Sequence, residues 1–334
     1  MKNIAINGFG RIGKTFLRTL LTDEATLKEL NPAAINIGRG TLSHTAYTFK
    51  YDTILGTFHG DVSMEDDFLV VNGHRIKVLR SLDPADLDWK ALDIDWLVEA
   101  SGQFTHRDNA QKHLDAGSKN ILITAPAQDE DVTIIPGVND DQYDKNKHSI
   151  VSLGSCTTNA LAPTLKVLHD TFQVEHAVFS TIHAYTNSQV LLDVEKKLYR
   201  DSRAAALNII PGTTGASKVI GRVLPELDGK TIGSAIRIPI AKVSLLDIVF
   251  TTQKEFDAQA LNNAFTQASQ NEMKNIMAVS TEPLVSSDYN CSPYSVTIDS
   301  LITQAQPGGM GKVSGWYDNE WAYCQRLKDF LLQA

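Results

Sequence analysis

Residues 3–21 constrain the fold more than any other stretch of this chain. Asn3-Ile4-Ala5-Ile6 reads as a short buried strand. Gly8-Phe9-Gly10-Arg11-Ile12-Gly13 follows, and Lys14 to Leu21 then has the pattern of an amphipathic helix. Strand, GxGxxG turn and helix in that order open a doubly wound parallel sheet that binds a dinucleotide. Gly8 permits the tight turn, Gly10 lets backbone approach a pyrophosphate, and Gly13 lets the helix pack on the strand. Arg11 and Ile12, between the glycines, are counted with them as cofactor-binding positions.

A second strand, Ala33-Ala34-Ile35-Asn36, should end in an acidic residue for the adenosine 2′-hydroxyl. Ile37-Gly38-Arg39 stands there instead. Losing the carboxylate removes repulsion against a 2′-phosphate, and Arg39 offers a charge partner. NADP is therefore favoured over NAD. Further strands are expected at 68–71, 75–79, 96–100 and 120–124, with a helix over roughly 107–116. Ser101-Gly102 and Thr124 fall at carboxyl ends of strands, where such a sheet binds its ligand. Residues 1–153 thus read as a dinucleotide-binding domain.

Gly154-Ser155-Cys156-Thr157-Thr158-Asn159 is the chemical centre of the sequence. A short strand precedes it, and Leu161, Leu165 and Leu168 mark one face of a helix that follows. Cys156 therefore sits at a helix N-terminus, where free N–H groups and the dipole lower a thiol pKa and suit a phosphate or oxyanion. A structural cysteine is the bland alternative, but burial alone leaves the surrounding hydroxyls unexplained.

Downstream, the strand 177–182 delivers His183, which a Cys–His pair would use for thiol activation and acid–base work. Residues 184–207 are polar and basic and read as a long ordered loop. Pro211-Gly212-Thr213-Thr214-Gly215 suits an anion. Apolar, β-rich runs at 232–240 and 243–252 follow, the first carrying Arg237, a strand arginine that needs an anionic partner. Helices are expected over 255–270 and 325–332. Clustered strands in this half indicate an α+β catalytic domain, 154–319, with a mainly antiparallel sheet.

A formal net charge of −8 argues against a nucleic-acid backbone or an anionic membrane as partner. The three cysteines, Cys156, Cys291 and Cys324, make no disulfide framework and no CxxC metal spacing, so a reducing cytoplasm and no metal are expected. The first residues are too soon polar for a signal peptide, and no apolar run approaches a membrane span.

NGFGRIG, SCTTN, HAYTN, IIPGTTGASK, the Arg237 strand and WYDNEW together resemble the phosphorylating glyceraldehyde-3-phosphate dehydrogenase family, in order and along the whole length. The resemblance implies an α/β Rossmann domain, a catalytic domain, a C-terminal helix (320–334) packing back on the first domain, and a homotetramer. It implies that Cys156 attacks glyceraldehyde 3-phosphate and that His183 acts as base while hydride leaves for the nicotinamide. Inorganic phosphate then releases an acyl phosphate. By motif, Ser155, Thr157, Arg203, Thr214 and Gly215 would surround the attacking phosphate, and Thr186 and Arg237 would hold the phosphate of the substrate. Asn319 would orient the nicotinamide amide, with Tyr323 nearby.

Departures from the family pattern bear on the cofactor. Ile37 replaces the usual ribose-binding aspartate, Ser188 stands where many bacterial members have Asp, and Glu195 lies where a neighbouring subunit's loop nears the adenine ribose. Glu195 would repel a 2′-phosphate or pair with Arg39, so NAD stays open beside NADP. Ala160 replaces a frequent second cysteine and leaves the mechanism intact. Two other readings remain. One is erythrose-4-phosphate dehydrogenase, which hydrolyses the thioester; the retained Tyr185-Thr186-Asn187 and the full phosphate set argue against it. The other is a non-catalytic dinucleotide sensor, which has no need of a nucleophile.

Overall fold

A computed structural model describes all 334 residues, which fall into two compact units. The first comprises Met1–Ile134, Asp141–Gly154 and Cys324–Ala334. Its elements are β1 (Lys2–Asn7), α1 (Arg11–Leu21), α2 (Glu24–Leu27), β2 (Leu30–Asn36), α3 (Leu42–Lys50), β3 (Val62–Glu65), β4 (Phe68–Val71), β5 (His74–Leu79), β6 (Trp96–Glu99), α4 (Arg107–Asp115), β7 (Asn120–Ile123), β8 (Val132–Thr133) and β9 (Ile150–Ser152). They form one nine-stranded sheet in the order β3-β4-β5-β2-β1-β6-β7-β9-β8, parallel except where β4 meets β3 and β5. The order reverses at β1, which lies between β2 and β6. Carboxyl ends on either side of that point form the ligand crevice of a doubly wound sheet. Ile4 and Ile6 of β1 are wholly buried, as a two-sided strand requires.

The second unit comprises Ile135–Asp140 and Ser155–Tyr323. It contains α5 (Cys156–Phe172), β10 (Val174–Ala184), β11 (Ile210–Thr213), α6 (Ala216–Val223), β12 (Thr231–Ile238), β13 (Ser244–Thr252), α7 (Ala258–Gln270), β14 (Met277–Ser280), β15 (Val296–Asp299), β16 (Gln304–Gln306), β17 (Met310–Tyr317) and the start of α8 (Trp321–Gln333). The sheet runs β11-β12-β10-β13-β17-β15-β14, with β16 on β17, and is mainly antiparallel. Leu161, Leu165 and Leu168 of α5 are fully buried in one core with Ala177, Phe179, Leu246, Ile248 and Tyr317 of the sheet strands.

Several boundaries differ from the sequence expectation for local reasons. The helix expected from residue 255 begins at Ala258, because the Asp257 side chain accepts the Ala260 N–H and caps it. The last helix begins at Trp321 rather than Gln325, because Asp318 Oδ1 accepts the N–H groups of Glu320 and Trp321. Of the segment 211–215, read as suiting an anion, Pro211–Thr213 lie in the edge strand β11, where a proline without N–H is tolerated. Ala184 ends β10, and residues 185–207, the rest of the expected loop, carry no helix longer than a 3₁₀ turn and one bridge, Val190 to Ala204.

In the first unit α8 is tied down at its end: the Lys2 ammonium donates to the carbonyls of Leu331 and Ala334, and Phe330 meets Trp96 edge-on.

Candidate active site

In the second unit, Cys156 is the first residue of α5. Ser155 caps the helix: its hydroxyl accepts the Thr158 N–H at 3.1 Å while Thr158 returns a bond to the Ser155 backbone. That reciprocal box occupies both hydroxyls and leaves the earliest N–H groups, of Cys156 and Thr157, turned toward the sulfur. β10 carries His183 next to its carboxyl end and sets Nε2 3.5 Å from Sγ of Cys156. Parallel pairing of β10 with β12 aligns His183 with Arg237. Arg237 Nη1 lies 2.6 Å from Nδ1 of His183 and donates to the Ala184 carbonyl at 3.2 Å.

Nδ1 of His183 is also 2.6 Å from that carbonyl, so it faces an acceptor and the Arg237 donor at once; in the tautomer with the proton on Nδ1, Nε2 is the acceptor for the thiol. Burial pushes the imidazole down to about 4, and the Arg237 charge adds to the effect. Burial likewise pushes the Cys156 thiol up, against Arg237 and the Thr157 donors, which pull it down. The lowered thiol expected from the helix terminus is not found: desolvation outweighs the dipole and the Arg237 charge.

Tyr317, the last residue of β17, braces this pair. Its hydroxyl bonds Thr181 at 2.6 Å and Thr157 at 3.0 Å, and its ring meets His183 edge-on. Burial pushes the phenol up, so it remains a neutral donor. Sequence reasoning passed over Tyr317; the signal available was its place in WYDNEW beside Asn319. It also missed the buried ion pair of Lys242 with Asp318, 2.8 Å apart, which holds the segment containing Asn319.

The structure brings Cys156, His183 and Arg237 into one contact chain, with Thr157 attached through Tyr317. The other expected phosphate residues have local partners. Arg203 pairs with Asp193 at 2.7 Å on the surface loop. The Thr186 hydroxyl bonds that of Ser188 at 2.8 Å. Thr214 accepts the Ala216 N–H at 3.2 Å, and Gly215 caps α6 without a side chain. Asn319 Oδ1 accepts the Val243 N–H at 3.1 Å, and Tyr323 is buried in α8.

In the first unit a cavity of about 530 Å³ opens at the point where the strand order reverses. Gly8, Gly10, Ile37, Arg39 and Ser101 line it. A dinucleotide fits this cradle on local grounds. Gly8 has φ of +94°, and a Cβ there would lie 2.5 Å from the Ser101 nitrogen. A Cβ on Gly13 would lie 2.1 Å from the Gly8 carbonyl. Gly10 precedes α1 as its N-cap and places no side chain on the first N–H groups, which suits a pyrophosphate. Arg11 is held in an ion pair by Asp52, Ile12 opens α1 beside it, and Gly102 takes φ of +72°. Thr124 donates to the Glu99 carbonyl at 3.0 Å rather than to the cavity. Asn7, Asn36, Ser81 and Phe104 also line the cavity and were missed; the signal for the asparagines was a polar residue ending each of two apolar strands.

Residues 2–107 match the NAD binding domain of glyceraldehyde 3-phosphate dehydrogenase, and residues 155–319 match its C-terminal domain. The chain is 46% identical to glyceraldehyde-3-phosphate dehydrogenase 1 of Bacillus cereus, over 98% of this chain and 97% of that one. It is 45% identical to the glyceraldehyde-3-phosphate dehydrogenase of Geobacillus stearothermophilus, over 98% and 96%. Against the chloroplastic A form of Chlamydomonas reinhardtii it is 44% identical, over 98% and 87%.

Proposed function

Because the chain belongs to the glyceraldehyde-3-phosphate dehydrogenase family, we propose that Cys156 and His183 are the nucleophile and base of its phosphorylating oxidation of glyceraldehyde 3-phosphate. The observation that carries this assignment is the 3.5 Å approach of Cys156 Sγ to His183 Nε2 at the start of α5.

Sγ adds to the aldehyde carbon while the S–H proton moves to Nε2 and on to the new alkoxide, giving a thiohemiacetal. The N–H groups of Cys156 and Thr157 favour charge gathering on the sulfur. Nε2, free again, takes the hydroxyl proton as the carbon is oxidised. A bound nicotinamide dinucleotide supplies the hydride acceptor that makes this product a thioester. A phosphate oxygen then attacks the thioester carbon, the C–S bond breaks, and Cys156 leaves as thiolate with the acyl phosphate released.

Arg237 and Thr186 hold the phosphate of the substrate in this reading, and Ser155, Thr157, Arg203, Thr214 and Gly215 serve the attacking phosphate. The Arg237 guanidinium supplies a fixed positive charge beside the catalytic pair, which supports the first assignment. Asn319 and Tyr323 are assigned to the nicotinamide end. Ile37 and Arg39 lie on the cofactor cavity with no carboxylate between them, which favours NADP over NAD.

Leu191, Leu192, Leu198, Tyr199, Leu207 and Ile209 are all largely exposed, Tyr199 at 94%. An apolar surface of this kind supports a homotetramer in which further copies of the chain cover it. Three free thiols and no disulfide support residence in the cytoplasm.

The test is steady-state oxidation of glyceraldehyde 3-phosphate with NAD and with NADP, each with and without inorganic phosphate. Phosphate-dependent turnover with a higher kcat/KM for NADP is expected. Turnover that ignores phosphate sinks the acyl-phosphate step, and a clear NAD advantage sinks the cofactor preference alone.

A further inference from the structure

Under the cofactor cavity of the first unit, a buried line of polar side chains crosses the carboxyl ends of neighbouring strands. The Trp89 indole N–H donates to Nδ1 of His113 at 3.2 Å, and Nε2 of His113 faces the Glu99 carboxylate at 3.6 Å. Glu99 ends β6. One of its oxygens accepts the Ser101 N–H at 2.8 Å together with the Ser101 hydroxyl, and the other accepts the Asn7 amide N–H. Asn7 ends β1, and its Oδ1 accepts from Nδ2 of Asn36 at 2.7 Å. Asn36 ends β2; it donates to the Ser81 carbonyl at 2.8 Å and accepts the Ser81 and Gly38 N–H groups at 3.0 and 3.3 Å. Glu99 is 1% exposed, His113 0%, Asn7 3% and Asn36 4%, so a lost bond in this line is costly.

An asparagine amide has one donating and one accepting end, and either can face a neighbour. Glu99 takes part in the line only as an acceptor. It therefore obliges Asn7 to present nitrogen to it and oxygen to Asn36. Asn36 must then present nitrogen to Asn7 and oxygen to the N–H groups of Ser81 and Gly38. We propose that Glu99 is a positioning residue for cofactor binding: it sets the polarity of this line and so presets the loops around the dinucleotide. Asn7, Gly38, Ser81 and Ser101 line the cavity, whereas Glu99 acts only through them. The inference rests on the cavity being the dinucleotide site and deepens that reading.

E99Q keeps an oxygen for Ser101 and turns an amide nitrogen on Asn7. Asn7 must reverse to accept from it, Asn36 must reverse in turn, and the Ser81 and Gly38 N–H groups then meet a donor. For E99Q we expect Kd and KM for NAD and NADP to rise by about tenfold, with kcat at saturating cofactor and KM for glyceraldehyde 3-phosphate within about twofold. N7D alone sets carboxylate against carboxylate at positions 7 and 99 and weakens cofactor binding as well. In the double variant E99Q/N7D the new amide nitrogen at position 99 donates to the new carboxylate at position 7, which accepts from Asn36 as before. Its cofactor Kd returns to within about threefold of wild type.

Cofactor affinity unchanged in E99Q overturns the proposal, as does a double variant that binds no better than the weaker single one. If E99Q cannot be obtained folded, the double variant decides alone by the same threefold criterion. Fluorescence titration of the wild-type enzyme with NAD and NADP separates the two levels. No binding there overturns the assignment of the cavity, whereas wild-type binding that E99Q leaves unchanged overturns only the role of Glu99.

Discussion

Nε2 of His183 lies 3.5 Å from Sγ of Cys156, while Nδ1 of the same ring sits 2.6 Å from the Ala184 carbonyl. In the tautomer with its proton on Nδ1 the imidazole turns a lone pair toward the thiol, and burial, with the Arg237 charge beside it, favours the neutral ring. That tautomer is the one the proposed role of His183 as base requires.

Cys156→Ser replaces a polarizable sulfur by a hydroxyl that the same base activates poorly. We expect kcat to fall by at least about 10³-fold, with cofactor Kd within about threefold. His183→Asn keeps a polar group but no base, and kcat should fall by about 10²–10⁴-fold. Stopped-flow turnover and fluorescence titration measure both; near-wild-type turnover in Cys156→Ser would sink the covalent mechanism.

Ile37→Asp restores a carboxylate beside the cofactor cavity. It should accept a ribose hydroxyl and repel a 2′-phosphate, raising the NAD:NADP ratio of kcat/KM by about tenfold or more. A ratio that does not move would show that residue 37 leaves the choice of cofactor to other groups.

Tyr317→Phe removes the hydroxyl shared by Thr157 and Thr181 and keeps the ring against His183. Two buried hydroxyls lose a partner, which costs about 1–2 kcal/mol. Calorimetry should find Tm lower by about 2–6 °C. The ring stays against His183 while Thr157 and Thr181 lose their shared brace, so kcat should fall, but by less than in Cys156→Ser.

Asp52 carries a pH signature. Burial pushes its carboxyl up, but the Leu55 N–H, the Arg11 guanidinium and the Ile54 N–H outweigh burial and hold it below the ordinary value of 3.8. Its folded pKa is thus depressed: the stabilisation is present above pH 3.8 and is lost as pH falls through the folded value. Asp52→Asn should lower stability by about 1–2 kcal/mol at pH 7. The gap between variant and wild type in thermal melts should close below pH 3.8; a gap independent of pH would remove the charge from the explanation.

The α/β class, the glycine turn, Cys156 at a helix start and His183 at a strand end were legible because each rests on local pattern. A period of two or 3.6 residues, or a turn that only glycine tolerates, is written within a dozen positions. The expected partner of Arg237 was an anion, yet its near neighbours in the fold are His183 and the Ala184 carbonyl, because β10 and β12 pair in parallel across more than fifty residues. The capping box of Ser155 and Thr158 was hidden too, since hydroxyls beside a cysteine read equally well as anion donors.

The sequence by itself determined the architecture of each half and singled out the proposed nucleophile, Cys156, and the proposed base, His183. Only the tertiary structure decided their state. Whether Cys156 rests as thiol or thiolate depends on how much water the fold removes against how near Arg237 is brought. Which amide faces which in the line from Glu99 to Ser81 depends on register between strands. Desolvation and hydrogen-bond direction are sums over neighbours distant in the chain, and no local pattern of residues encodes them.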